Sequence, residues 1–320
     1  MVDRPSPAED GSADPSCSHP HTEPVVAGHA PPANAALTNQ VALSYLAPPE
    51  DLAGLFGPLY LFLADKAEVS DHTRADFAQI RFMLAGAGHY VFQDGRQVVT
   101  PPCCMLGPTS AATRFEVAGP MRVLGVSVLP LGWSALGAGD ASAVADDLFD
   151  LAERFGDAWT RLFAEIAALT DAEEIAALVW PFLRARVRKV SDAESAFVAA
   201  VDEWLADERS PRVDALQGTT GLSLRQIARL CNRIYGFAPK YLARKYRALR
   251  CALILARDNI EWSDLCDEGA FYDQSHFIRE FKHFIGLTPS QLRDDASLVI
   301  RLTMNRRDVA GRIANLSRIS

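Results

Sequence analysis

Between Ser223 and Arg257 the chain carries Arg225, Arg229, Arg233, Lys240, Arg244, Lys245, Arg247, Arg250 and Arg257, with no Asp or Glu among them. A concentration of fixed positive charge of this kind attracts polyanions whatever the balance of the whole chain. The balance of the whole is acidic, at −8. It is also segregated: residues 1–190 hold 13 basic and 23 acidic residues and 191–320 hold 19 and 17, which together make the 32 and 40 of the chain. The chemistry offered by the window is therefore the recognition of a phosphate backbone and of base edges, and the question is which elements would present it.

Helical spacing answers that question twice. In LSLRQIARLCNRIYG, Ser223 is followed three residues later by Gln226, the signature of a capping box. Leu224, Ile227, Leu230, Cys231 and Ile234 then gather on one face, and Arg225, Ala228, Arg229, Asn232 and Arg233 lie opposite. Arg can bond guanine bidentately in the major groove and Asn can bond adenine. One such helix taken alone would equally suit an ordinary solvated basic face. The pattern recurs in YDQSHFIREFKHFIG, where Asp273 is the cap, Phe277, Phe281 and Phe284 form the buried side, and Gln274, Ser275, Ile278, Arg279 and Lys282 share the other. A short helix and a glycine turn precede each copy: Val213 to Leu216 with Gly221, then Trp262 and Leu265 with Gly269. The spacing predicts two helix-turn-helix units that read double-stranded DNA. The segment from Pro239 to Arg257 is a helical spacer about 28 Å long at 1.5 Å per residue, against about 34 Å for a turn of DNA. Ser223, Lys240, Arg244 and Lys245 are assigned to phosphate contact, with Arg247 beside them. Thr288-Pro289-Ser290 opens a closing helix that ends near Arg293.

Residues from about 195 to 295 resemble the DNA-binding domain of the AraC/XylS family of transcription regulators. The resemblance is carried by Ser223, Arg229, Gly236-Phe-Ala-Pro239 and Ala252, by the run Ala270-Phe-Tyr-Asp-Gln-Ser-His-Phe-Ile-Arg-Glu-Phe-Lys282, and by Gly286-Leu-Thr-Pro289. It implies base contact by Arg225, Ala228 and Arg229 in the first unit and by Gln274, Ser275, Ile278 and Arg279 in the second. Gln217 and Cys266 depart from the family's small Ala, Cys231 from its Phe and Ala270 from its Gly, all read as buried or turn positions.

Upstream, the segments VALSYL, LYLFL, FAQIRFML, HYVFQDGRQVV, ATRFEVA and MRVLGVSVL are short, rich in β-branched and aromatic residues, and bounded by Gly, Pro or Asp. Asp94-Gly95 is hairpin-turn chemistry, and Gly86-Ala87-Gly88 reads as a turn. The pattern predicts a small antiparallel barrel or sandwich. After Pro130 the period changes to that of amphipathic helices in SAVADDLFDLAERFG, AWTRLFAEIAAL and AEEIAALVWPFLRARV, with a kink or break at Pro181. These strands and helices, with Leu106-Gly107-Pro108 and Leu129-Pro-Leu-Gly132, look like the cupin-like amino-terminal domain of one branch of such regulators.

The expected fold class is α+β: a β-rich cupin-like barrel with helices, followed by an all-α domain with two helix-turn-helix units. The expected boundaries are a disordered leader at 1–38, a sensor or dimerisation domain at 39–190, the DNA-binding domain at 191–296 and a basic tail at 297–320. No catalytic constellation and no metal site is expected. Residues 40–190 offer only His72 and His89 as imidazole ligands, and His19, His21 and His29 fall in the leader. The six cysteines form no Cys-x-x-Cys pair, which argues against a zinc site or a disulfide framework. No cofactor is expected. The partners expected besides DNA are a small-molecule effector, a second copy of the chain and, for an activator, RNA polymerase. No membrane segment is read, and the chain is expected in the cytoplasm. A cupin-like enzyme with an accessory DNA-binding domain is the alternative.

Overall fold

The computed structural model describes residues 41–207, 211–257, 260–267 and 271–295. The expected leader, the basic tail with Arg301, Arg306, Arg307, Arg312 and Arg318, and the turn at Gly269 and Ala270 lie outside the described residues. The first half is one antiparallel sheet built of β1 Val41–Leu46, β2 Phe56–Ala64, β3 Glu68–Thr73, β4 Ala78–Val91, β5 Gln97–Val99, β6 Cys103–Leu106, β7 Thr113–Val128 and β8 Leu148–Asp150. Its order is β1-β2-β7-β4-β6-β8, with β3 added to β7 and β5 to β4.

The long strands β4 and β7 are the spine, paired from Ala78 opposite Val128 to Val91 opposite Arg114. Two expectations change here. Gly86-Ala87-Gly88 is no turn but a stretch of β4 in which the register slips, between Met83 and Ala87. Gly86 takes φ +85°, and a Cβ on Gly88 would come within 2.2 Å of the Glu116 carbonyl. Glycine is what lets the two strands bend while staying close. Likewise ATRFEVA and MRVLGVSVL are one strand, carried through Gly119 at φ +80°.

Alternation along each strand sends side chains to two cores. Leu59, Leu61, Ile80, Phe82, Leu124 and Val126 face helices, while Phe62, Tyr90, Phe115, Val117 and Val123 meet one another with no helix between them. Each face of the one sheet therefore carries a core of its own, and this β-rich half precedes the helical third as the sequence leads one to expect. The helix-covered face is closed by α1 Pro130–Ala135, α2 Leu151–Phe155, α3 Ala158–Ala167 and α4 Ala172–Arg184, through Trp133, Trp159, Ile166, Val179, Trp180 and Leu183. Pro181 neither ends nor breaks α4, which runs on to Arg184. The segment expected to be helical from Ser142 instead forms a 3-10 turn at Ala141–Val144, then β8 on β6, and only then α2, capped by Asp150 through the Ala152 and Glu153 amides.

The carboxy-terminal third is helical: α5 Asp192–Asp207, α6 Val213–Thr220, α7 Leu224–Tyr235, α8 Pro239–Arg257, α9 Asp264–Asp267, α10 Gln274–Ile285 and α11 Pro289–Asp295. Its core does not stop at residue 191. Phe77 and Leu129 of the strand half are buried in the same cluster as Val201, Ile227, Tyr246 and Phe281, with the Phe77 and Tyr246 rings 5.9 Å apart. The described residues all fall in one compact unit.

Three glycines in the left-handed region punctuate the helical third: Gly221 before α7, Gly236 after it and Gly286 after α10. Their surroundings differ. A Cβ at Gly221 meets nothing within 4 Å, whereas at Gly236 it meets Pro108 Cγ at 2.6 Å and at Gly286 it meets Ala112 Cβ at 3.1 Å. Gly221→Ala should therefore cost only the left-handed backbone, about 1 kcal/mol, and Gly236→Ala should cost about 1 to 2 kcal/mol more because two chain segments must part. Urea unfolding of the two variants checks this; equal losses would deny the close approach to Pro108.

Candidate nucleic-acid interface

The first unit is α6, the turn at Gly221, and α7. Its capping box is complete: the Gln226 amide donates to Ser223 Oγ at 3.3 Å and the Ser223 amide donates to Gln226 Oε1 at 2.9 Å. The Ser223 hydroxyl also donates to Gln226 Oε1 at 2.7 Å, so the side chain expected on a phosphate is engaged in the cap. Ile227, Cys231, Ile234 and Tyr235 are buried. Arg225, Arg229 and Arg233 are exposed, and Ala228 and Asn232 are half-buried between them. Leu224, expected on the apolar face, is 51% exposed at the very tip of the helix. Arg233 is anchored, donating to Glu194 Oε2 on α5 at 2.7 Å. At the other end of α7 the Tyr235 hydroxyl donates to Asp202 Oδ1 at 2.7 Å, with the Val198 carbonyl at 3.2 Å. Burial raises the Asp202 carboxyl to about 7, an effect that the Tyr235 hydrogen bond partly offsets. Gln217, read as a buried departure from the family pattern, is exposed on α6, so its size displaces nothing.

The second unit repeats the plan with different chemistry. Asp273 caps α10 by accepting the His276 amide at 2.6 Å, and Phe277, Phe281, Phe284 and Ile285 are buried. Gln274, Ser275, Arg279 and Lys282 are exposed. Ile278, expected on the outward face with them, is half-buried and packs against the helical core, because it stands at the flank where the face turns inward. Tyr272 is 93% exposed immediately before the cap and was not singled out by the spacing, since its ring lies outside the helix. Tyr272 and Leu224 give each reading helix an exposed apolar residue at its amino-terminal tip.

The spacer α8 requires two corrections. Lys245, assigned to phosphate, is 2% exposed and donates to the Asp76 and Thr109 carbonyls of the strand half at 2.7 and 3.0 Å. It lies four residues after Tyr241 and three before Ala248, on the side of α8 that packs against Ala75 and Phe284, so it points away from any surface ligand. Burial lowers its ammonium to about 8, against the pull of the Asp76 and Asp146 carboxylates. Arg244 is also committed, forking onto the buried Glu280 of α10 with Nε to Oε2 at 2.9 Å and Nη2 to Oε1 at 2.6 Å. No acid of the spacer itself could have revealed this, because the partner comes from the second unit 36 residues away. Lys240 remains exposed. Among the described residues Arg225, Arg229, Lys240, Arg279 and Lys282 are cations without an ion pair. The two reading helices thus present Arg225 and Arg229 from one and Arg279 and Lys282 from the other.

Residues 218–295 match the profile of a family described as a helix-turn-helix domain. The carboxy-terminal third is an AraC-type helix-turn-helix domain. None of the curated proteins compared with the chain matches it. Among solved structures, ToxT of Vibrio cholerae is similar over 72% of this chain and 99% of its own, at 9% identity and a TM-score of 0.41. ToxT with an unsaturated fatty acid bound is similar over 70% and 94%, at 11% identity and 0.42. A cupin superfamily protein of Desulfitobacterium hafniense is similar over 29% of this chain and 81% of its own, at 18% identity and 0.23. Among the described residues no group of three or more His, Cys, Asp or Glu could hold a metal ion. No helix among them is long and apolar enough to cross a membrane. Cys103, Cys104, Cys231 and Cys251 are buried and joined in no disulfide. Burial pushes Cys104 and Cys231 up to about 12, which keeps them in the unreactive thiol form.

Asp202 makes the seating of the first reading helix sensitive to pH. Its folded value, about 7, lies above the ordinary 3.8, so the folded chain holds the proton more tightly than the unfolded one. The stabilisation is complete below about pH 4 and is lost as pH rises through about 7. Asp202→Asn, which still accepts from Tyr235, should flatten this part of the stability profile, removing a decline on the order of a few kcal/mol at 1.4 kcal/mol per unit. Unfolding free energies measured from pH 4 to 8 give the comparison; parallel profiles for variant and parent would refute the assignment.

Proposed function

We propose that the chain is a sequence-specific transcription regulator whose α7 and α10 enter successive major-groove segments of one duplex. In this reading Arg225, Arg229 and Asn232 of the first unit and Gln274, Ser275 and Arg279 of the second address base edges. Lys240 and Lys282 meet phosphates. The observation that carries it is the sorting of the positive charge within the helical third: Lys245, Arg244 and Arg233 are tied to the protein, while Arg225 and Arg229 on α7 and Arg279 and Lys282 on α10 stand outward without an ion pair. Counted from the caps Ser223 and Asp273, Arg229 and Arg279 occupy the same position of the two helices, a coincidence that a merely solvated basic face does not require.

The strand half we assign to control, by an effector or by pairing two copies, and not to catalysis. Repression would follow from occupancy of the site alone, and activation would add a contact with RNA polymerase. The setting is the bacterial cytoplasm.

Selection of bound genomic fragments by the purified chain defines its site, and gel-shift titration then measures the parts. Arg229→Ala and Arg279→Ala should each weaken specific binding by about 1 to 3 kcal/mol and relax preference at one position. Lys240→Ala should weaken binding to all sequences alike. Undiminished affinity for the selected site in both arginine variants would overturn the groove assignment.

A further inference from the structure

A recess of about 590 Å³, counting the solvent at its mouth, opens within the strand half. Leu43, Phe62, Phe115, Met121 and Val123 give it apolar walls, with Tyr45 and Tyr60 at one side. Its polar residues are Arg74, Asp76, Gln79 and Arg81 with Thr73. Arg81 is 6% exposed, and its fork meets a neutral acceptor: Nε and Nη2 both donate to Gln79 Oε1, at 3.1 and 2.8 Å. Tyr60 donates its hydroxyl to the same oxygen at 2.8 Å. Three donors thus converge on an amide oxygen that has two lone pairs. The Tyr90 ring, 5.2 Å from the Arg81 guanidinium carbon, steadies the group. Among the described residues Arg81 makes no ion pair. A buried guanidinium beside apolar walls is best matched by a carboxylate, which accepts the fork bidentately and supplies the acceptor sites that Gln79 lacks. A neutral ligand would leave the charge poorly compensated.

Gln79 is also the first link to the helical third. Its Nε2 donates to Asp76 Oδ2 at 2.9 Å, and the Asp76 carbonyl accepts Lys245 Nζ of α8 at 2.7 Å. The residue before Asp76 is held as well, the Ala75 amide donating to the Phe284 carbonyl of α10 at 2.7 Å. Asp76 therefore joins the floor of the recess to both helices that set the position of the second reading unit.

We propose that the recess binds a small organic monocarboxylate with an apolar body through Arg81, and that occupancy is relayed through Gln79 and Asp76 to Lys245. A ligand carboxylate that takes over the Arg81 fork releases Gln79 Oε1, and the Gln79 side chain and the Asp76 segment readjust together. The binding half stands on the recess alone; the relay rests on the reading of the helical third as a DNA reader.

The full-length chain is titrated by calorimetry with 3-phenylpropanoate and hexanoate and with the corresponding amides. The acids should bind at least tenfold more tightly than the amides, a comparison that needs no substitution. Arg81→Gln should abolish the preference and Arg81→Lys should weaken it. Equal affinity for acids and amides, or no heat from any of the four at millimolar concentration, overturns the site. For the relay, a saturating acid should change the affinity for a selected DNA fragment at least threefold. Lys245→Met should bind the acid normally and lose that change. A shift that persists in Lys245→Met, or its absence from the parent chain, overturns the relay. Should the chain bind no DNA, the reading of the helical third fails by itself, and the relay is judged by whether the acid alters amide exchange over residues 241–248.

Discussion

Lys245 is the contact on which the arrangement of the two halves turns. An ammonium group taken out of water is stable only where acceptors replace its hydration, and the Asp76 and Thr109 carbonyls do so from the β3–β4 and β6–β7 connections of the strand half. Around it the seam is built from main-chain bonds as well, Ala75 to Phe284 and Ala112 to His283. Tyr241 adds a donation to the Ser110 carbonyl at 2.7 Å and lies 2.9 Å from His283 Nε2. Because backbone groups on both sides are committed, the seam cannot loosen by side-chain rotation alone. Its orphaned donors and acceptors would have to find water together.

Pairing within the helical third explains how a net-acidic chain keeps a usable positive surface. Cations whose geometry serves the fold are neutralised internally, Arg244 by the buried Glu280 and Arg233 by Glu194, so they add little to the outward field. Burial would raise the Glu280 carboxyl, but the Arg244 pairing outweighs it and holds the group below its ordinary value, which favours the ionised carboxylate and the closed fork. What remains outward is a sparser set of charges, placed where helix caps and turn glycines aim them.

Much of this was legible in the residues. The caps at Ser223 and Asp273, the bounds of α8, and the burial of Phe277, Phe281 and Phe284 follow from local rules in which every participant lies within a few positions. The hairpin at Asp94-Gly95 obeys the same logic. Illegible features depended on partners far along the chain. Lys245 and Arg244 read as surface cations because their acceptors, Asp76, Thr109 and Glu280, are remote. β6 and β8 escaped because runs of four and three residues carry no usable alternation, and β3 because EVSDHT is mostly polar. Gly86 to Gly88 resembled a turn for the reason that makes it a bulge: only glycine tolerates either. The recess around Arg81 could not be read at all, since its walls come from β1, β2, β4 and β7.

Gly236 and Gly286 end the two reading helices, and each rests on the strand half, one against Pro108 and the other against Ala112 and His72. The equivalent point of both repeats is thus seated on the strand half, in both cases against the β6–β7 connection. For a chain that reads DNA, this turns a pair of recognition helices into a gauge of helical phase. B-form DNA rotates by a full turn in about 10 base pairs, so two half-sites separated by an extra half-turn would face opposite sides of the duplex. A flexible tether between units could follow them; helices stopped against the same connection of the strand half cannot. The sheet would then select among sites that carry the right bases by the angle between them, a discrimination made by residues that never approach the DNA.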